Sequence, residues 1–177
     1  MSETAEILTV VKMLETLPVL AGNRTSMKPN AIRPIAICVF QHNGHILAAE
    51  HYDPIKQQPF YRPLGGAIEF GEHSADTLVR ELQEELGAAV TDLRYLGALE
   101  NVFTYNGQRG HEIVMVYDGA FADRSLYGQA SLDGAEDSGA PFRAVWLPLA
   151  DCRLPAAPPV YPTGLLDLLE EELTQRR

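Results

Sequence analysis

Residues 66–88 read Gly66-Ala67-Ile68-Glu69-Phe70-Gly71-Glu72-His73-Ser74-Ala75-Asp76-Thr77-Leu78-Val79-Arg80-Glu81-Leu82-Gln83-Glu84-Glu85-Leu86-Gly87-Ala88. Ser74 and Asp76 stand where a helix begins, and Gly87 stands where one ends. The residues between them are strong helix formers without a proline. At about 100° per residue, Ala75, Leu78, Val79, Leu82 and Leu86 fall in one apolar arc, which faces a core. Glu81, Glu84 and Glu85 lie side by side on the flank of the same helix. Glu81 therefore has carboxylate neighbours at both i+3 and i+4, each costing roughly 0.2–0.5 kcal/mol on an isolated helix. Arg80, four residues before Glu84, supplies the local cation. A hard divalent ion such as Mg²⁺ relieves this repulsion, because carboxylate oxygens hold it and substrate phosphates complete its shell.

An acidic helix face is ordinarily only solvated surface. The preceding loop changes that reading. Gly65 and Gly66 permit close backbone approach to a ligand, Glu69 and Glu72 add carboxylates just before the helix, and Gly71 supports a turn between them.

With those residues in place, the stretch resembles the signature of the Nudix hydrolases, Gly-x5-Glu-x7-Arg-Glu-U-x-Glu-Glu-x-Gly-U, where U is a bulky aliphatic. Gly66, Glu72, Arg80, Glu81, Leu82, Glu84, Glu85 and Gly87 match. Ala88 is smaller than the usual last aliphatic, a departure that touches packing and not ligands. The run Tyr61-Arg62-Pro63-Leu64-Gly65-Gly66 looks like the usual entry to this box. The resemblance implies an α/β/α sandwich with a mixed β-sheet and a loop–helix catalytic motif. It also implies a reaction: Mg²⁺-dependent hydrolysis of the diphosphate linkage in a nucleoside diphosphate joined to another moiety X, with Mn²⁺ as an alternative ion. By the same analogy Glu81, Glu84 and Glu85 hold the metal, with the Gly66 carbonyl a further ligand. Arg80 orients a glutamate through charge-assisted hydrogen bonds, and Glu72 supports the loop by pairing with Arg80.

The family draws its general base from the box or from a later loop or strand. Glu81 is the first choice here. Glu112 is the second, read as opening a strand directly after the Gly-rich segment Tyr105–His111. Arg62, Tyr61, Phe60 and Tyr105 are the candidate substrate contacts: one cation, and aromatics able to stack a base. In the family, a tyrosine some way past the box loosely marks dinucleoside polyphosphate hydrolases; Tyr105 fits, and no proline fits the ADP-ribose pattern. Two other classes are weighed. A non-catalytic nucleotide-binding sensor usually has an eroded box, and this box is whole. An isopentenyl diphosphate isomerase-like enzyme needs a catalytic cysteine, for which only Cys38 is placed.

The chain has 177 residues, one ordinary domain, with a 46% hydrophobic fraction and a formal net charge of −10. An acidic balance argues against a nucleic-acid polymer as partner, since such sites need a basic footprint. It also repels polyphosphate, so substrate binding depends on the metal and on local cations such as Arg62, Lys56 and Arg109. Two cysteines make no disulfide framework; Cys38, in an apolar run, reads as a buried small hydrophobe. No segment is long and apolar enough to span a membrane. The acidic start Ser2-Glu3-Thr4-Ala5-Glu6 is no signal peptide, which points to the cytoplasm.

Two segments are expected along the chain: residues 1–29, an amphipathic helix with a polar linker, and residues 30–177, the hydrolase domain. Ile7, Val11 and Leu14 carry the helical spacing of the first. That helix is free to serve as a homodimer arm, to cover the active site, or simply to dock on the domain. Arg33–Phe40 reads as a buried strand, turned by Asn43-Gly44 into Ile46–Glu50. Residues 51–62 are expected as a loop, Val90–Tyr105 and Glu112–Phe121 as antiparallel partners, 128–141 as a flexible acidic loop, Phe142–Leu147 as a strand, and Gly164–Gln175 as a helix. Strands interleaved with helices predict a mixed sheet between helical layers.

Overall fold

The computed structural model describes residues 31–136 and 138–175. The expected N-terminal helix and linker lie outside the described residues.

Strand β1 (Arg33–His42) organises the molecule. Its run of apolar residues buries both faces, and successive side chains alternate between them. Ala36, Cys38 and Phe40 pack in one core with Leu78 and Leu82 of helix α1 (Ser74–Leu86). Ile35, Ile37 and Val39 pack in the other with Leu165 and Leu169 of helix α2 (Leu165–Gln175). Each fully buried Leu, Ile, Val or Phe among them contributes roughly 1.5–3 kcal/mol. The result is a sheet with one helix on each face, the three-layer arrangement that the resemblance implies.

Asn43 and Gly44, both at positive φ, form the two-residue hairpin into β2 (His45–Asp53). The β1–β2 ladder lasts only through Gln41–Ile46 and His42–His45. Beyond it the two strands splay. β1 turns its edge to β4 (Leu64–Ala67), and β2 turns its edge to β3 (Gln58–Arg62). The other edge of β1 runs parallel to β6 (Gln108–Phe121), which pairs with the long β5 (Val90–Tyr105). The other edge of β2 carries β8 (Pro141–Pro148), and β7 (Ser131–Ala135) closes that side. The fork between β1–β4 and β2–β3 opens toward α1.

Four expectations need correction. Residues 58–62 are a strand and not loop, because Gln58–Arg62 find backbone partners on β2. Residues 131–135 are likewise a strand, paired to β8 despite their small and acidic residues. The segment before Glu112 is no Gly-rich loop: Asn106 and Gly107 make a tight turn, and β6 already begins at Gln108. Val79 is 49% exposed, because the buried face of α1 is rotated to Thr77, Leu78, Glu81, Leu82 and Glu85. Among the described residues no helix is long and apolar enough to cross a membrane.

Candidate active site

The loop from Ile68 to His73 delivers the chain from β4 into α1. The helix ends at Gly87 in the left-handed conformation, where the Gly87 and Ala88 amides donate to the carbonyls of Gln83 and Leu82. Ala88 is buried in the core beneath α1, so its small size is a packing adjustment. The rotation of α1 turns Glu81 (5% exposed) and Glu85 (9%) inward, while Glu84 stays half exposed.

Arg80 ties the motif together. Its Nε and Nη2 donate to the two oxygens of Glu72 at 2.9 and 3.0 Å, a bidentate fork. Nη1 donates to Glu81 Oε1 at 2.9 Å and to Glu84 Oε2 at 3.2 Å, and Nη2 also reaches the Ala67 carbonyl at 3.2 Å. Glu72 accepts in addition from Thr77 Oγ1 at 2.8 Å and from the Glu69 amide at 3.2 Å. These contacts, led by the Arg80 hydrogen bond, hold the Glu72 carboxyl down at about 2. The guanidinium is pushed above its ordinary range, chiefly by Glu72. Arg80 thus fixes Glu72 as a loop strut and steers Glu81.

The two glycines before the helix serve different neighbours. Gly65, at φ 137°, brings its backbone against β1: a Cβ there would stand 2.2 Å from the Ala36 carbonyl oxygen. Gly66 faces the site: a Cβ there would stand 2.2 Å from the Glu81 carboxylate. The absent side chain of Gly66 is therefore the space in which that carboxylate sits.

A cleft of about 160 Å³ lies in the fork between the splayed strands. Gly66, Glu81 and Glu85 line one part of it, and Arg33, His51 and Arg62 another. Glu136, after β7, also reaches it. All the acidic donors are oxygens, the set that suits a hard cation. The described residues hold no preformed cluster of three or more His, Cys, Asp or Glu side chains arranged as a metal cage. An open site of one or two carboxylates and a backbone carbonyl, completed by water and substrate phosphates, is nonetheless the usual arrangement for Mg²⁺. Gly66, Glu81 and Glu85 fit it.

The remaining sequence candidates separate. Along β3, period-2 alternation puts Phe60 and Arg62 on the face shared with His51, and Tyr61 on the other. Phe60 stacks on His51 with centroids 5.0 Å apart and meets Tyr105 and Tyr161 edge-on, each at 5.7 Å. Burial, reinforced by Arg62, pushes His51 down to about 4, so its imidazole is neutral near pH 7. Glu112 lies inside β6 and not at its start, and it is 2% exposed. Its carboxylate meets Arg33 and Arg62 at 3.5 Å each and accepts from Asn101 Nδ2 at 3.4 Å. Cys38 is fully buried and its thiol is pushed well up by burial, so it supplies no nucleophile. Sequence reading missed Arg33, His51 and Glu136 as cleft residues. Only the strand pairing brings them together.

The structure thus sets helix-borne carboxylates against a glycine cradle, in the fork of a mixed sheet. A family model for the NUDIX domain matches residues 31–165, and the chain belongs to that family. It is 36% identical over 67 residues to the NAD-capped RNA hydrolase NudC of Vibrio vulnificus (strain CMCP6). That match covers 38% of this chain and 25% of the relative, so the likeness spans about a quarter of the relative's length. Among solved structures, the MutT NUDIX hydrolase from Burkholderia pseudomallei aligns with TM-score 0.55 and 20% identity, over 79% of this chain and 97% of that one. A NUDIX hydrolase from Nitrosomonas europaea aligns with TM-score 0.56 and 18% identity, over 83% and 92% of the two chains. At those identities the structural likeness establishes the fold. Family membership places the chain among the Nudix hydrolases.

Proposed function

We propose that this chain hydrolyses the diphosphate linkage of small nucleoside diphosphates joined to a further moiety X, using Mg²⁺ with Mn²⁺ as a substitute. The observation that carries the reading is the Gly66 cradle against the Glu81 carboxylate, in a cleft shared with Glu85. Glu81, Glu85 and the Gly66 carbonyl would hold the cation, with Glu84 joining from the helix flank. Such an ion supplies a lowered pKa for attacking water and neutralises charge on the phosphoryl oxygens.

The chain's own residues do the rest. Arg80 holds Glu81 through Oε1 and so orients its carboxylate. Glu81 is the proposed base, taking the proton of the attacking water, because its buried carboxylate is seated against the Gly66 backbone in the cleft. Glu112 is engaged by two arginines and an asparagine, which weighs against a proton-accepting role. Phe60, flanked by Tyr105 and stacked on the neutral His51, offers an apolar surface beside the cleft for a base or other flat X. The acidic chain favours a small nucleotide over a polymer. A screen of nucleoside diphosphate–X compounds with Mg²⁺ or Mn²⁺, reading phosphate-bearing products, tests the proposal. Absence of turnover on every compound refutes it.

A further inference from the structure

Arg33, Arg62 and Glu112 stand outside the loop–helix motif, and their arrangement has a purpose of its own. Glu112 on β6 lies in register with Arg33 on β1 and with Asn101 on β5, three side chains abreast across the sheet. Arg62 arrives from β3, across the fork. Glu112 Oε1 takes Arg33, while Oε2 takes Arg62 and Asn101. Asn101 in turn accepts from the Thr163 amide at 3.4 Å, which anchors the row to the segment before α2.

An arginine–glutamate–arginine row is often only a staple between strands. Here the exposure is unequal: the Glu112 side chain is 3% exposed, but those of Arg33 and Arg62 are 33% and 27% exposed. Both arginines open into the cleft that holds Gly66, Glu81 and Glu85. Each meets Glu112 through one nitrogen at 3.5 Å, so most of its five N–H donors remain for a ligand. Glu112 also offsets the repulsion that would drive two neighbouring guanidiniums apart. It presets a pair of cations in a chain of net charge −10.

We propose that Arg33 and Arg62, held by Glu112, form a two-arginine clamp that grips a phosphoryl group of the substrate on the strand side of the cleft. This rests on the diphosphate reading of the same cleft and assigns its strand side. Carboxylates from α1 form the acidic part, and the clamp takes the phosphate oxygens those carboxylates repel. Planar guanidinium forks suit two oxygens of one phosphoryl group. Glu112 is thereby a positioning residue and not the base.

Calorimetric titration of a methylene-bridged, non-hydrolysable nucleoside diphosphate, with and without Mg²⁺, tests the clamp apart from turnover. Arg33→Gln and Arg62→Gln should each weaken binding by about 10- to 100-fold, the value of a charge-assisted hydrogen-bond set. KM should rise in step while kcat changes far less. Arg33→Lys keeps a cation beside Glu112, and so the fold, but loses the fork; it should recover only part of the affinity, and it carries the test if Arg33→Gln does not fold. Folded arginine variants with wild-type affinity and KM overturn the clamp while leaving the diphosphate reading intact. A wild-type chain that neither binds the analogue nor hydrolyses any diphosphate overturns both.

Discussion

Replacing Gly66 with alanine separates the site from the fold. The added Cβ would stand 2.2 Å from Glu81 Cδ and Oε1 and 2.6 Å from Oε2. Ordinary contact begins near 3.4 Å, so the carboxylate must withdraw by about 1.2 Å (3.4 − 2.2). Gly66 does not occupy the left-handed region, so alanine is acceptable to its backbone. The clashing atoms are the end of a flexible side chain, so the fold should lose no more than about 1–3 kcal/mol, the usual overpacking range. The chemistry should lose more: a misplacement near 1 Å costs on the order of 100-fold in rate. Gly65→Ala is the control. Its Cβ would strike the Ala36 carbonyl and the Ile37 Cα of a central strand, at 2.2 and 2.9 Å, from a φ of 137°. Backbone cannot swing aside, so this variant should lose stability first. The assay is kcat/KM on a cleaved diphosphate, alongside urea unfolding of both variants. Full activity in a folded Gly66→Ala protein would refute the claim that Gly66 exists to seat the Glu81 carboxylate.

Further expectations concern the same elements. Glu84→Gln and Glu85→Gln should each abolish most Mg²⁺-dependent turnover with far-UV circular dichroism unchanged; retained activity in either removes that residue from the metal set. In pH–rate profiles, Glu81→Gln should lose the acidic limb while Glu112→Gln retains it; the reverse result would make Glu112 the base. Glu72 is held at about 2, against an ordinary 4.5. A depressed carboxyl stabilises the fold fully above its unfolded value, and the contribution disappears as pH falls from about 4.5 through 2. The melting-temperature gap between wild type and Glu72→Gln should therefore persist at pH 6 and close over that window. Leu82 is fully buried on the core face of α1, so Leu82→Ala should cost about 2–5 kcal/mol in denaturant unfolding.

Much of the molecule was legible from short-range pattern. The helix from Ser74 and its stop at Gly87 follow from composition and a residue that tolerates positive φ. The Asn43-Gly44 hairpin and the buried β1 follow from turn chemistry and an unbroken apolar run. What escaped was paired or rotated by distant partners. Gln58–Arg62 looks like loop because its mixed residues show no alternation, yet the open edge of β2 claims their backbone groups. Ser131–Ala135 is drawn into a strand by β8 in the same way. Val79 satisfies the helical arc, but α1 turns its glutamate flank inward and leaves Val79 in water.

By itself, then, the sequence determined the family. The carboxylates, the arginine and the two glycines that define it sit within 23 consecutive residues, and helical spacing sets the mutual positions of Arg80, Glu81, Glu84 and Glu85. Tertiary structure decided what each group faces. Arg33, Arg62 and Glu112 are far apart in the chain and meet only through β1, β3 and β6. Glu112 changes from a strand-end base candidate into the buried anchor of two cations for the same reason. Strand register is a long-range property, and local periodicity carries no record of which edge a strand will find.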